Sequence, residues 1–249
     1  QTCALPILLG EDDLVAPFIL RLGELARGPA DHALVAQLSL DMARPDLALR
    51  AAKLAAQQGY VSLETLFPSV KLPFADDSKV ERSLVLALVR QESQFDPKAR
   101  SPAGALGLMQ LMPSLARSLS QSWKYQPYAS DKFLFQAEEN LKLSTYHLHQ
   151  LQKLAPHYAL MAAAYNAGLK RTSRWWKKFG HYPLDVFVEF IPVNETRNYV
   201  KLVLRNFLYY KALKSGGVLP PKLIAVDLPS LDLIREISSI KKNKPKKKS

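Results

Sequence analysis

The sequence predicts a mainly α-helical fold, and three observations carry that expectation. Two Ala/Leu-rich stretches, residues 31–42 and 45–58, run up to Gly59, with Pro45 at a favoured first-turn position. Residues 79–95 set Leu84, Leu88 and Glu92 at i, i+4 spacing, one stripe of a helix. Residues 160–168 read as a helix closed by a glycine cap.

Taken in chain order, the first seven residues, Gln-Thr-Cys-Ala-Leu-Pro-Ile, match what a common sequencing-adaptor oligonucleotide encodes in one frame. They are expected to be an artefact of assembly, and a resequenced locus reading straight through these codons would reject that. The missing initiating Met fits a truncated start, so the lack of a signal peptide says nothing of export. Residues 8–74 are expected to be a helical linker: short helices over about 11–66, then a proline-punctuated connector over 66–74. Residues 75–213 form the expected compact helical unit. Residues 214–249 are an extension: Gly216-Gly217, Pro220-Pro221, a short helix near 231–240, and a lysine-rich tail.

Composition narrows the class. With 249 residues, 48% of them hydrophobic, the chain is globular rather than disordered. Its longest apolar run, residues 84–89, is far too short to span a bilayer. Six of the lysines behind the net charge of +12 lie in residues 241–249, which leaves +6 for the rest. Such a run reads as a solvated tail, or as a source of surface attraction to anionic polymers, a membrane or nucleic acid. The single cysteine, Cys3, excludes an intrachain disulfide and a cysteine metal cluster. The five histidines show no zinc-protease pattern; His147 and His149, two apart, point in different directions on a helix. No phosphate loop, nucleotide fingerprint or nucleophile elbow is present.

Glu92 is the residue that points to chemistry. Leu84, Val85, Leu86, Leu88 and Val89 cover most of the helix circumference, so a carboxylate ending that stripe loses water and its pKa rises. A raised pKa is what a general acid needs near neutral pH. The plain alternative is a surface Glu in the last turn, or one paired with Arg90 or Lys98. The helix is expected to stop near Asp96, because Pro97 disfavours helical geometry before it. Residues 101–113 follow, irregular and uncharged, with Gly104 and Gly107 allowing close backbone approach. Ser101 and Gln110 there suit hydroxyl and amide groups better than phosphates. A carboxylic acid beside such a wall looks like a sugar cleft.

Four motifs then carry a family resemblance: Arg90-Gln-Glu-Ser93; Gly107-Leu-Met-Gln110 with Met112-Pro113; Ala163-Ala-Tyr-Asn-Ala-Gly168; and Ile191-Pro-Val-Asn-Glu-Thr-Arg-Asn-Tyr-Val200. In this order and spacing, across roughly residues 68–212, the chain resembles the soluble lytic transglycosylases of bacterial cell walls. The resemblance implies a lysozyme-like, goose-type catalytic domain with a short irregular or β segment, preceded by the end of an α-helical superhelix. It implies Glu92 as the catalytic acid, and Ser101, Gln110, Met112, Tyr165, Asn166, Glu195 and Tyr199 as substrate-binding residues. Read without it, Tyr165 is a core tyrosine whose hydroxyl has found a partner, Glu195 a charge favoured by a helix N-terminus, and Met112 core filler. Trp175 and Trp176 cannot both face the core of one helix, so one shows a face to solvent or to a sugar. Tyr209 and Tyr210 carry the same two readings.

The resemblance also implies a mechanism. Ordinary glycosidases use two carboxylates. Here Asp96 lies past the helix end, Glu195 is on the far wall, and Asp131, Glu138 and Glu139 have no supporting motif. The implied reaction uses Glu92 alone, first as acid and then as base, to cut peptidoglycan between N-acetylmuramic acid and N-acetylglucosamine with closure of a 1,6-anhydro ring. It needs no metal and no cofactor, takes peptidoglycan glycan strands as partner rather than nucleic acid, and implies the periplasm. Two other readings stand beside it: a muramidase that hydrolyses the same bond, for which no motif supplies the second carboxylate, and a wall-binding module without turnover.

Overall fold

The computed structural model describes residues 12–73, 79–125, 130–155 and 157–216. The first seven residues, the short helix expected near 231–240 and the lysine tail lie outside them. Three helices open the described chain: α1 (Asp12–Leu25), α2 (Pro29–Asp41) and α3 (Pro45–Gln57). Pro29 and Pro45 stand in the first turns of α2 and α3, where a missing N–H costs nothing. These helices close over their own small core of Val15, Ile19, Val35, Leu47 and Ala51. The four-residue α4 (Leu63–Leu66) leads into the connector, and Phe67 at its start is buried in the main core.

That main core is built around α5 (Arg82–Glu92). Residues 83–90 are all buried, as the all-round apolar pattern requires. The helix is shorter than the sequence predicts. It ends at Glu92 rather than near Asp96, because Gln94 (φ 55°) and Phe95 (φ 70°) are already left-handed. This reversal turns the Phe95 ring back into the core, where it is 2% exposed, and sets Glu92 at the last helical position.

The remaining described elements are α6 (Pro113–Trp123), a 3-10 turn (Asp131–Phe135), α7 (Ala137–Leu154), α8 (Tyr158–Ala167), α9 (Leu169–Phe179), α10 (Leu184–Glu189) and α11 (Asn194–Lys214). The 21-residue α11 packs along α5. Buried Arg90 does not reach for Glu92. Its Nε donates to the Leu66 carbonyl (2.9 Å), its Nη1 to Asn206 Oδ1 (3.1 Å), and its guanidinium lies 4.2 Å above the Phe67 ring. Tyr210 is buried edge-on against Phe67, and Tyr209 stacks on the same ring at 4.3 Å, which makes this pair core and rim rather than a sugar platform. Of the adjacent tryptophans, Trp176 is buried and Trp175 half-buried.

Residues 99–113 form the one β-like piece among the described residues, with isolated antiparallel bridges from Leu106 to Arg100 and to Leu111. A second small core of Leu106, Leu111, Ala116, Leu119, Leu134 and Leu143 lies under it. No described helix is long and apolar enough to cross a membrane.

Candidate active site

Glu92 leaves the C-terminal end of α5 and meets α11 from the side. Tyr199, 107 residues away in sequence and 7% exposed, donates its hydroxyl hydrogen to Glu92 Oε1. Loss of water pushes the Glu92 carboxyl up from 4.5 to about 7; the Tyr199 hydrogen bond works against this, and the Glu195 charge adds to it. Desolvation wins, so a large share of the molecules hold this proton at neutral pH. The Tyr199 hydroxyl is in turn pushed well above its ordinary range, by burial first and then by the Glu92 charge. It stays a donor.

Glu195 sits in the first turn of α11, exposed, four residues before Tyr199 and so on the same face. Tyr165, on α8, faces the same carboxyl: burial and the charge of Glu92 both raise its pKa. Its hydroxyl donates to the Met109 carbonyl (2.8 Å), which ties α8 to the glycine-bearing loop. Behind it the His147 ring lies 5.7 Å from the Tyr165 ring, and burial pushes His147 down to about 4. A neutral imidazole there offers no competing acid.

The loop owes its shape to side chains that bond its own backbone. Gln110, itself left-handed (φ 47°), donates through Nε2 to the Gly107 carbonyl (2.8 Å) and the Ala99 carbonyl (3.2 Å). Ser101 Oγ accepts from the Ala105 N–H (2.9 Å). Both are partly open, so each holds the wall and still presents an edge of it. Met112 caps α6 and is 40% exposed, available to a ligand rather than buried as filler. Asn166 Oδ1 accepts from Thr196 Oγ1 (2.7 Å), joining the end of α8 to the start of α11 beside Glu195. Glu92, Tyr165, Tyr199 and Glu195 thus converge electrostatically, and Met109–Gln110 joins them through Tyr165.

One supporting residue had no sequence signal. Asn140, fully buried on α7, accepts from the Met109 N–H and donates to the Leu106 and Leu134 carbonyls, each at 2.9 Å. Gly107 (φ 75°) lies so close that a Cβ there would stand 2.0 Å from the Leu134 oxygen and 2.4 Å from Asn140 Nδ2. Gly107 was legible as a close-approach position; the partner that approaches, from 33 residues onward, was not. Of the carboxylates without a supporting motif, Asp131 pairs with Arg117, Glu138 and Glu139 pair with Lys142, and Asp96 lies 3.8 Å from Arg50. A cavity of about 870 Å³ opens elsewhere, between α2–α3 and the connector, lined by Arg44, Arg50, Lys71 and Lys98 among others and not by Glu92. Among the described residues no group of histidine, cysteine and carboxylate side chains is arranged to hold a metal ion.

Fold and site together define a mainly helical, lysozyme-like domain with one desolvated carboxylic acid at a helix end. Residues 74–187 match the Transglycosylase SLT domain. Over 140 residues the chain is 36% identical to a soluble lytic murein transglycosylase of Escherichia coli K12, covering 55% of this chain and 22% of that protein. A Salmonella typhimurium soluble lytic murein transglycosylase is 37% identical over 134 residues, with 53% and 21% covered. The crystal structure of the 70 kDa soluble lytic transglycosylase from E. coli superposes with a TM-score of 0.76 at 27% identity, covering 89% of this chain and 37% of that one. Residues 74–187 thus belong to the transglycosylase SLT family, and the chain spans less than a quarter of the soluble lytic murein transglycosylases it matches.

Proposed function

We propose that this chain cleaves peptidoglycan as a lytic transglycosylase, at the β-1,4 bond between N-acetylmuramic acid and N-acetylglucosamine. The observation that carries the reading is the Glu92 carboxyl, held protonated up to about pH 7 by desolvation and met by a tyrosine hydroxyl. Protonated Glu92 gives its proton to the glycosidic oxygen as the bond to the muramic anomeric carbon breaks, and the N-acetylglucosamine side leaves as an alcohol. The neighbouring N-acetyl oxygen of the muramic residue supports the positive charge at that carbon. Glu92, now a carboxylate, takes the proton from the muramic C6 hydroxyl; its oxygen bonds to the anomeric carbon and closes the 1,6-anhydro ring. The proton count balances and no water is consumed. Tyr199 donates to the carboxylate between the two steps, and the apolar stripe behind it keeps the base reactive.

Within this reading Ser101, Gln110, Met112, Tyr165, Asn166 and Glu195 form the cleft wall, the catalytic domain runs over 75–213 with 8–74 as the end of a superhelix, and the work is done in the periplasm. A hydrolase on the same bond needs a second carboxylate to position water, and Glu195, whose charge Glu92 feels, is the residue that favours it. Mass spectrometry of digested sacculi separates the two, since an anhydro end is one water lighter than a reducing end. The expected result is anhydro ends with the wild type and none with Glu92→Gln. Undiminished release by Glu92→Gln would overturn both enzymatic readings.

A further inference from the structure

We propose that the exposed face of α9 is a second binding surface, which takes the carboxylate-bearing stem peptides of the strand whose sugars lie at Glu92. The proposal rests on the substrate reading above. α9 reads Leu-Lys-Arg-Thr-Ser-Arg-Trp-Trp-Lys-Lys-Phe. At 100° per residue, Lys170, Arg171, Arg174, Lys177 and Lys178 fall within an arc of about 120°, and all five are exposed. The opposite side carries Thr172 and Trp176, both buried.

The helix has no acidic residue, and none of the five cations takes part in an ion pair among the described residues. Lys178 also lies over the Phe179 ring, 5.0 Å from its centroid. Lys170, Arg174 and Lys178 follow one another at i, i+4, where like charges destabilise a helix. An ordinary solvated face mixes both signs; this one does not.

Position makes the patch relevant to the cleft. α9 starts directly after Gly168, the cap of the helix that carries Tyr165 and Asn166, and Asn166 is bonded to Thr196 beside Glu195. The sugars of a peptidoglycan strand are neutral, and its anionic groups are the free carboxylates of the short peptides hung from each muramic acid. A row of cations on the helix that directly follows the one carrying Tyr165 complements those groups and not the sugars. A lipid surface fits less well, because the apolar side of α9 is already packed in the core and no large hydrophobic face is left to enter a bilayer.

The test neutralises three of the five cations in the 249-residue chain, as Arg171→Gln/Arg174→Gln/Lys178→Gln. A control triple of equal charge change uses exposed residues elsewhere, Arg21→Gln/Arg27→Gln/Lys132→Gln. Substrates are soluble glycan strands bearing tetrapeptide stems, and the same strands stripped of peptide by an amidase. Both turnover and the anisotropy of labelled strands are read, at low and high salt. Three exposed charge contacts at low salt predict KM and Kd up about tenfold for peptide-bearing strands, with kcat within about twofold. Stripped strands should bind wild type and triple alike, and salt should erase the difference. The proposal is overturned if both strand types lose affinity equally, if neither does, or if the control triple matches the α9 triple. It is also overturned if the triple loses only its binding to anionic phospholipid vesicles. A wild type that binds peptide-bearing strands through α9 but releases no anhydro product would leave this surface standing and remove the catalytic reading instead.

Discussion

Replacing Glu92 by Gln should make the folded protein more stable at alkaline pH while removing its acid. Burial holds the Glu92 carboxyl at about 7, against an ordinary 4.5. Between those two values the folded chain keeps a proton that the unfolded chain has released, so wild-type stability falls as pH rises through this window. At 1.36 kcal/mol per pH unit, the cost reaches about 3 kcal/mol above pH 7 and vanishes below pH 4.5. Gln has no proton to release, nearly the same volume, and an amide oxygen that can still accept from Tyr199. Urea unfolding of both proteins at pH 4, 6 and 8 reads the effect. The stability of Glu92→Gln minus that of wild type should grow by about 3 kcal/mol between pH 4 and 8. A difference that stays constant would show that the carboxyl is not desolvated in the native state. One that shrinks with rising pH would mean a carboxylate stabilised by its partners, the opposite electrostatics.

Tyr199→Phe removes a donor to the ionised form of Glu92, so its carboxyl should hold the proton to still higher pH. A hydrogen bond to a charged group contributes about 1.5–3 kcal/mol, and the alkaline fall of kcat/KM, expected near pH 7 in wild type, should move up by about one to two pH units; a pH–rate profile whose limb stays or moves down counts against the geometry. Gly107→Ala should cost about 3 kcal/mol or more, since the new Cβ meets the Leu134 oxygen at 2.0 Å with φ at 75°. Unfolding free energies of the two proteins within about 0.5 kcal/mol of each other would refute that close approach.

The helical character was legible because it is local. Pro45 starts a helix, Gly168 ends one, and the apolar run of residues 84–89 marked a helix buried on nearly all sides. Even the raised pKa of Glu92 followed from its place at the end of that stripe, a one-dimensional fact. The helix end itself was misplaced by four residues: Pro97 explains why the chain could not continue, whereas the earlier stop comes from left-handed Gln94 and Phe95, held by the burial of the Phe95 ring.

What the sequence alone determined is therefore which carboxyl would lose its water, and which neutral, glycine-bearing stretch would stand near it. Only the tertiary structure decided what touches what. Tyr199 became the donor to Glu92 because α11 returns along α5, Asn140 became the strut of the loop because α7 passes beneath it, and Arg90 was drawn to Leu66 and Asn206 instead of to Glu92. Apolar spacing is written residue by residue along one element, but a hydrogen bond between side chains 107 positions apart exists only once packing has brought two helices together.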